Sequence, residues 1–295
     1  MTMKNVMAAI ILCLSVLAGC ADNAVFKHDI AISSDSERIA YNVYGSGSTA
    51  LIFVHGWSCD GRYWKNQIPE FSKEYKVITV DLAGHGHSSL NRADYTTESF
   101  AGDIKAVVEK ENIDRAVLIG HSMGGDIAAE SARLLPQTII SIIGVDTFHN
   151  VDEQVTQEFV DQMIAPFNDD FVAAVQGFVS AMFPAEANKA LVYWVREDMS
   201  SAPKSIALNA FRDYLERLVN GESAEKFKNI HVPVISINAR FWPTDLEANR
   251  KHIKDYKLFY IEGTGHFPMM EKPGDFNRLL KEALEYTEAR IKKNS

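Results

Sequence analysis

The chain has 295 residues, of which 46% are hydrophobic and 23% charged, and a formal net charge of −9. That length holds one large α/β core with room for an insertion, and so ordinary a composition excludes a repeat, fibrous or low-complexity protein. The acidic balance, with no cluster of Lys or Arg, excludes broad nucleic-acid binding.

Lys4 precedes an apolar run from Val6 to Leu17, which ends in Leu17-Ala18-Gly19-Cys20. A short positive region, a short hydrophobic core and small residues at its end describe a secretory signal over residues 1–19. The run falls short of the roughly 20 residues that cross a bilayer comfortably. Leu17 to Cys20 resembles the bacterial lipobox. That resemblance implies cleavage before Cys20, lipid on its sulfur, and an exported protein held at a membrane of the cell envelope. Residues 20–24 then form a tether. With Cys13 lost and Cys20 lipidated, Cys59 alone remains, which excludes an internal disulfide and a cysteine-built metal site.

Val25 to Ser33 and Arg38 to Tyr44 read as strands joined by the polar turn Ser34-Asp35-Ser36-Glu37. Ala50 to Val54 is a continuous apolar run, the pattern of a strand buried on both faces, and it ends in His55-Gly56-Trp57. A helix is expected around Tyr63 to Glu74, then a strand over Lys76 to Val80 and the glycine-rich loop Asp81 to Ser88. Thr97 to Glu111 reads as a helix capped by Thr97, with Phe100, Ile104, Val107 and Val108 on one face. Arg115 to Ile119 is the next strand, and Asp126 to Leu135 a helix closed by Pro136. Thr138 to Val145 is a β-branched strand ending at Asp146.

Strand and helix alternate up to this point, which argues for a largely parallel sheet. Residues 150–225 contain no convincing strand. Glu153 to Ile164, Phe171 to Met182, Ala185 to Met199 and Ser205 to Leu218 read as amphipathic helices cut by Pro166, Pro184 and Pro203. The sheet resumes at Val232 to Asn238, followed by a helix over Asp245 to Ile253, a strand over Lys257 to Ile261, and a last helix from Gly274 to about Ile291.

Between one such strand and its helix lies Gly120-His121-Ser122-Met123-Gly124-Gly125. A G-x-S-x-G segment in a strand–turn–helix setting presents its serine on a sharp, strained turn, with glycine where a side chain would strike neighbouring backbone. The helix that follows points its free N–H groups at the serine. Such a serine needs a base to take its proton.

His55-Gly56-Trp57, Asp81-Leu-Ala-Gly-His-Gly-His-Ser88, the Ser122 segment and Gly265-His266-Phe267-Pro268 occur in this order at strand ends. From Arg38 to Lys292 the chain resembles an α/β-hydrolase carrying a helical cap, with Ala83 where many relatives have proline. The resemblance implies an eight-stranded, mostly parallel sheet flanked by helices. Its core would be residues 25–149 and 226–295, and its cap residues 150–225. It further implies Ser122 as nucleophile, His266 as base, and the backbone N–H groups of Trp57 and Met123 as oxyanion donors. The Trp57 indole is expected either in the acyl pocket or in the core. His55 and His85 are expected to brace loops, and His121 to pack inside the turn.

The acid that orients His266 is less direct. Relatives commonly carry it in the loop after the strand Val232 to Asn238, where this chain reads Asn238-Ala-Arg-Phe-Trp-Pro-Thr-Asp245. Asp245 is the nearest carboxylate there, but Thr244-Asp-Leu-Glu247 reads as a capping box that already accounts for it. Some relatives place the acid at the strand end occupied by Asp146, which is favoured here.

The expected activity is hydrolysis of a small, hydrophobic carboxylic ester through an acyl-serine, with no metal and no organic cofactor. The same residues suit a C–C bond hydrolase, a lactonase or a perhydrolase, and a lipid-anchored binding protein on this fold is the non-enzymatic alternative. The bulky residues Phe178, Met182, Phe183, Tyr193, Trp194 and Phe211 are expected mostly in the core. The sequence leaves the oligomeric state open.

Overall fold

Residues 26–294 are described by a computed structural model. The expected signal segment, the tether and Cys20 lie outside the described residues. The apolar runs form an eight-stranded sheet: β1 (Phe26–Ile32), β2 (Arg38–Tyr44), β3 (Ala50–Val54), β4 (Lys76–Val80), β5 (Ala116–His121), β6 (Ile139–Val145), β7 (Val234–Ala239) and β8 (Tyr256–Ile261). Their order is β1-β2-β4-β3-β5-β6-β7-β8. β1 pairs antiparallel with β2, and β2 with β4; every later pairing is parallel. The continuous runs β3, β5 and β7 are buried at every position, so both sheet faces are covered. This is the fold class expected from the alternation of strands and helices.

The segment after β3 departs from expectation. In place of one helix over Tyr63 to Glu74 there is a 3₁₀ turn, Gly61–Trp64, and a single helical turn, α1 (Ile68–Phe71). Pro69 is the reason: it has no N–H to give to the carbonyl of Lys65, so it interrupts the helical hydrogen bonding there and sits instead in the first turn of α1. α2 (Thr97–Lys110) begins at Thr97 as expected, but Thr97 is not its cap. Its cap is the extended residue Thr96, whose hydroxyl accepts from Ser99 N–H, while the Ser99 hydroxyl accepts from Thr96 N–H. Thr97 instead donates to Asp213. α3 (Met123–Leu134) follows β5 directly.

Between β6 and β7 the chain inserts α4 (Gln157–Asp169), α5 (Phe171–Ser180), α6 (Lys189–Ser200) and α7 (Lys204–Asn220), then the single turn α8 (Glu222–Glu225) and a 3₁₀ turn, Lys226–Asn229. Pro166 does not end α4, as expected, but lies inside it. One lost hydrogen bond is outweighed there by Phe167, which is buried edge-on against Trp57 at 5.8 Å. Arg217, on α7, ties the insertion to α2 through Glu98 and is held on its own helix by Asp213 at 3.0 Å. The chain closes with α9 (Leu246–His252), α10 (Pro268–Glu271) and α11 (Pro273–Asn294). α11 lies against β6, β7 and β8, and the buried hydroxyls of Thr287 and Ser141 meet at 3.0 Å. The C-terminal ends of the parallel strands β3, β5, β6 and β8 lead into the loops that hold the site, as open α/β sheets arrange their ligands.

Candidate active site

Ser122 joins β5 to α3 with φ 53° and ψ −121°, a conformation that side-chain-bearing residues avoid. The surrounding backbone holds it there: Ser122 N–H donates to Val145 C=O at 3.0 Å, and Gly125 N–H to Ser122 C=O at 2.9 Å. The turn tolerates nothing larger than glycine beside it. A Cβ on Gly120 would stand 2.1 Å from Gly124 O, and one on Gly124 would stand 2.5 Å from Val54 O. Met123 is the first residue of α3, so its N–H is one of the unpaired donors of a helix start.

Asp146 ends β6 with φ 46° and is 1% exposed. One carboxylate oxygen, Oδ2, accepts from His266 Nδ1 at 2.6 Å, and Oδ1 accepts from Ala239 N–H, at the end of β7, at 2.8 Å. Burial alone would raise this carboxyl. The contacts with His149 and His266 outweigh it and hold the group below the usual carboxylate range. Asp146 is thus an anion in the core, compensated by donors on both oxygens.

His266 follows β8 in a loop fixed from two directions. The Glu271 carboxylate accepts from Gly265 N–H at 3.0 Å and from Phe267 N–H at 3.1 Å, one residue either side of the histidine. His266 N–H donates to Met182 C=O of the insertion at 2.9 Å, an approach that only glycine at 265 permits, since a Cβ there would stand 2.1 Å from that oxygen. The Trp242 ring packs edge-on to His266 at 5.4 Å.

Asp245 does not reach His266. It is the N-cap of α9 itself, rather than a residue of its first turn, and its carboxylate accepts from Glu247 N–H at 3.1 Å and Ala248 N–H at 2.9 Å. The strand end at β7, where an acid was sought, carries Asn238. Its amide accepts from Thr147 N–H at 3.2 Å and donates to Thr147 C=O and the Thr244 hydroxyl, both at 2.9 Å, so it fixes the segment after Asp146.

His55, His85 and His121 are structural in their contacts. His55 accepts from Leu82 N–H at 3.1 Å and donates to Gly56 C=O at 2.9 Å, while His85 donates to Ala83 C=O at 3.0 Å. His121 donates to His266 C=O at 2.8 Å, and its Nδ1 is buried without a partner among the described residues.

Ser122, His266, Asp146, Trp57 and Met123 line one cavity of about 250 Å³. The insertion forms much of its roof. Phe178, Met182 and Phe211 line the cavity; Met182 and Phe211 are also buried in the core, as expected, and Trp57 gathers the two phenylalanines, its ring 5.1 Å from Phe211 and 6.1 Å from Phe178. The Trp57 indole N–H donates to Ala207 C=O at 2.7 Å. Phe183 stacks on Phe267, Trp194 packs on Tyr63, and Tyr193 is exposed.

A family model described as "alpha/beta hydrolase fold" matches residues 49–273, a span that holds every one of these loops. The chain belongs to the α/β-hydrolase fold family. This hydrolase is 26% identical over 267 residues to the dihydrolipoyllysine-residue acetyltransferase component of the acetoin cleaving system of Cupriavidus necator, over 85% of this chain and 67% of that one. It is 28% identical over 151 residues to the pimeloyl-[acyl-carrier protein] methyl ester esterase of Photobacterium profundum, over 48% of this chain and 56% of that one. The hydrolase thus spans two thirds of the first relative's length and about half of the second's. Among solved structures, an esterase from Exiguobacterium antarcticum shares the fold with a TM-score of 0.77 at 20% identity, over 89% of this chain and all of that one.

Two residues of the hydrolase site escaped sequence reasoning. His149 lines the cavity, with Nε2 3.7 Å from Asp146 Oδ1 and Nδ1 3.2 Å from the Thr244 hydroxyl. Its signal was its place three residues after Asp146, in a segment that gave no periodic pattern. Glu271 was legible only as the acid five residues after His266, within reach of a turn's free N–H groups. Cys59 is buried and donates to Trp57 C=O at 3.3 Å; burial pushes its thiol up, away from the reactive thiolate.

Proposed function

We propose that this protein is a serine hydrolase of small carboxylic esters. The observation that carries the reading is the 2.6 Å bond between His266 Nδ1 and buried Asp146, in the cavity that the strained Ser122 enters. Asp146 fixes the tautomer with hydrogen on Nδ1, which leaves Nε2 free to take a proton. Ser122 Oγ attacks the ester carbonyl carbon as Nε2 takes its proton. The oxyanion is met by the N–H groups of Met123 and Trp57, a stabilisation worth about 3–4 kcal/mol per donor in comparable sites. When the tetrahedral adduct collapses, the C–O bond to the alcohol breaks and the alcohol leaves with the proton from Nε2. Water then repeats the sequence on the acyl-serine and releases the acid. The insertion acts as the cap over this reaction.

Trp57, Phe178 and Phe211 favour an apolar acyl or alcohol group, and the cavity volume favours a short one. The esterase names among the relatives agree with ester chemistry. The test is covalent labelling of the purified protein by a fluorophosphonate, which is expected on Ser122 and lost in Ser122→Ala.

Export and lipid attachment at Cys20 belong to the same proposal, on the sequence Leu17-Ala-Gly-Cys20 alone. Palmitate label in the expressed protein is expected to vanish in Cys20→Ser. Equal labelling of both would refute the anchor.

A further inference from the structure

One turn of α3 beyond Ser122, the cavity wall changes character. Asp126 lines the cavity and its Oδ1 is held by Lys226 Nζ, both groups otherwise taken out of solvent. Lys226 stands behind the wall, and no Lys or Arg lines the cavity among the described residues. The Asp126 carboxylate forms no other side-chain hydrogen bond among the described residues, and neither does the Tyr214 hydroxyl, which lines the cavity beside it. Ser223 also lines the cavity. Burial, with Asp126 and Glu153 nearby, pushes the Tyr214 phenol up, so it stays protonated and able to donate. The same cavity also has an aromatic wall, formed by Trp57, Phe178 and Phe211.

A purely apolar ester would offer no partner to the Tyr214 hydroxyl or to the acceptor capacity of Asp126 that Lys226 leaves open, which is costly once the ester displaces water. A buried ion pair set in the wall needs its remaining acceptor capacity filled for the same reason. Four residues along a helix is about 6 Å from Ser122. We propose that the Asp126–Tyr214 end of the cavity recognises a hydroxyl group carried on the substrate a few bonds from the scissile carbonyl. The substrate class is then a short hydroxyl-bearing ester, not a plain alkyl ester and not one ending in a carboxylate. The hydroxyl donates to Asp126 and accepts from Tyr214, while the alkyl part lies against the aromatic wall. This rests on the serine-hydrolase reading, which sets where the carbonyl lies.

The experiment compares kcat/KM for ethyl butanoate, ethyl 3-hydroxybutanoate and 2-hydroxyethyl butanoate, which place the hydroxyl on the acyl or on the alcohol side. One hydroxylated ester is expected to be favoured over ethyl butanoate by about tenfold, the worth of one good hydrogen bond. Tyr214→Phe, which removes only the phenol oxygen, is expected to bring that ratio down several-fold. Asp126→Asn together with Lys226→Met removes the charge pair as a unit and is expected to do the same. Equal rates for all three esters, or a preference that survives both variants, overturns the proposal. Binding of the same esters to Ser122→Ala, read by thermal shift, reports on the pocket without turnover. If no ester is cleaved but the hydroxylated one still binds more tightly, the hydrolase reading fails and the pocket assignment stands. Equal binding overturns the pocket assignment whatever the enzyme does.

Discussion

Asp146→Asn lowers kcat for p-nitrophenyl butanoate by about 10⁴ with little change in KM, whereas Asp245→Asn stays within a few-fold of the parent. The geometry gives the reason. Ala239 N–H demands an acceptor at the position of Oδ1, so an asparagine there presents its oxygen to Ala239 and its NH₂ to His266. His266 Nδ1 must then accept, which puts the hydrogen on Nε2 and removes the base that Ser122 needs. Shape and volume are unchanged, so melting temperature separates this loss from unfolding. Asp245→Asn keeps a good cap on α9, and its side chain makes no hydrogen bond with His266. Collapse of kcat in the second variant, with the first active, would move the acid to the β7 side.

The second large effect is acid lability that begins well above the carboxylate range. Burial holds His85 and His121 neutral, lowering each to about 3 from an ordinary 6.5, and it lowers His55 as well. Nearby histidines, His55 for His85 and His266 for His121, add to the shift. The folded state therefore refuses protons that the unfolded chain accepts. That stability is present above pH 6.5 and drains away as pH falls through 6.5 toward 3. At pH 5 each of the two histidines costs about 2 kcal/mol, and the pair about 4 kcal/mol, against a total of roughly 5–15 kcal/mol for a typical domain. Asp146, held low in the folded state, adds to the loss only below about pH 4. Urea midpoints at pH 7.5, 6 and 5 are expected to fall steadily. A flat response over that range would contradict the neutral assignment. The site shares the liability, because a protonated His121 would aim a second N–H, at Nδ1, where it has no acceptor.

The centre of the sheet was legible because strands such as β3 and β5 are buried on both faces and leave apolar runs, as at Ala50–Val54 and in Ala116 to Ile119. The turn at Ser122 was legible because backbone crowding demands glycine at two fixed positions around it. What the sequence could not supply was direction. Phe178 and Phe211 have the spacing of core residues, and only the three-dimensional position of Trp57 turns them to the cavity. The pairing of Asp146 with His266 joins residues 120 apart, and the choice between it and Asp245 depended on which strand end faces the β8 loop. His149 and Glu271 act through neighbours in space, the first on Asp146 and the second on backbone N–H groups around His266, and neither leaves a periodic trace.

Ser122 is the group expected to be acylated. Incubating the protein with a fluorophosphonate, then locating the adduct by peptide mass, tests this directly. One adduct per chain on the peptide containing Ser122 is expected, absent in Ser122→Ala and strongly slowed in Asp146→Asn. An unlabelled parent protein, or a label that persists on Ser122→Ala, would contradict it.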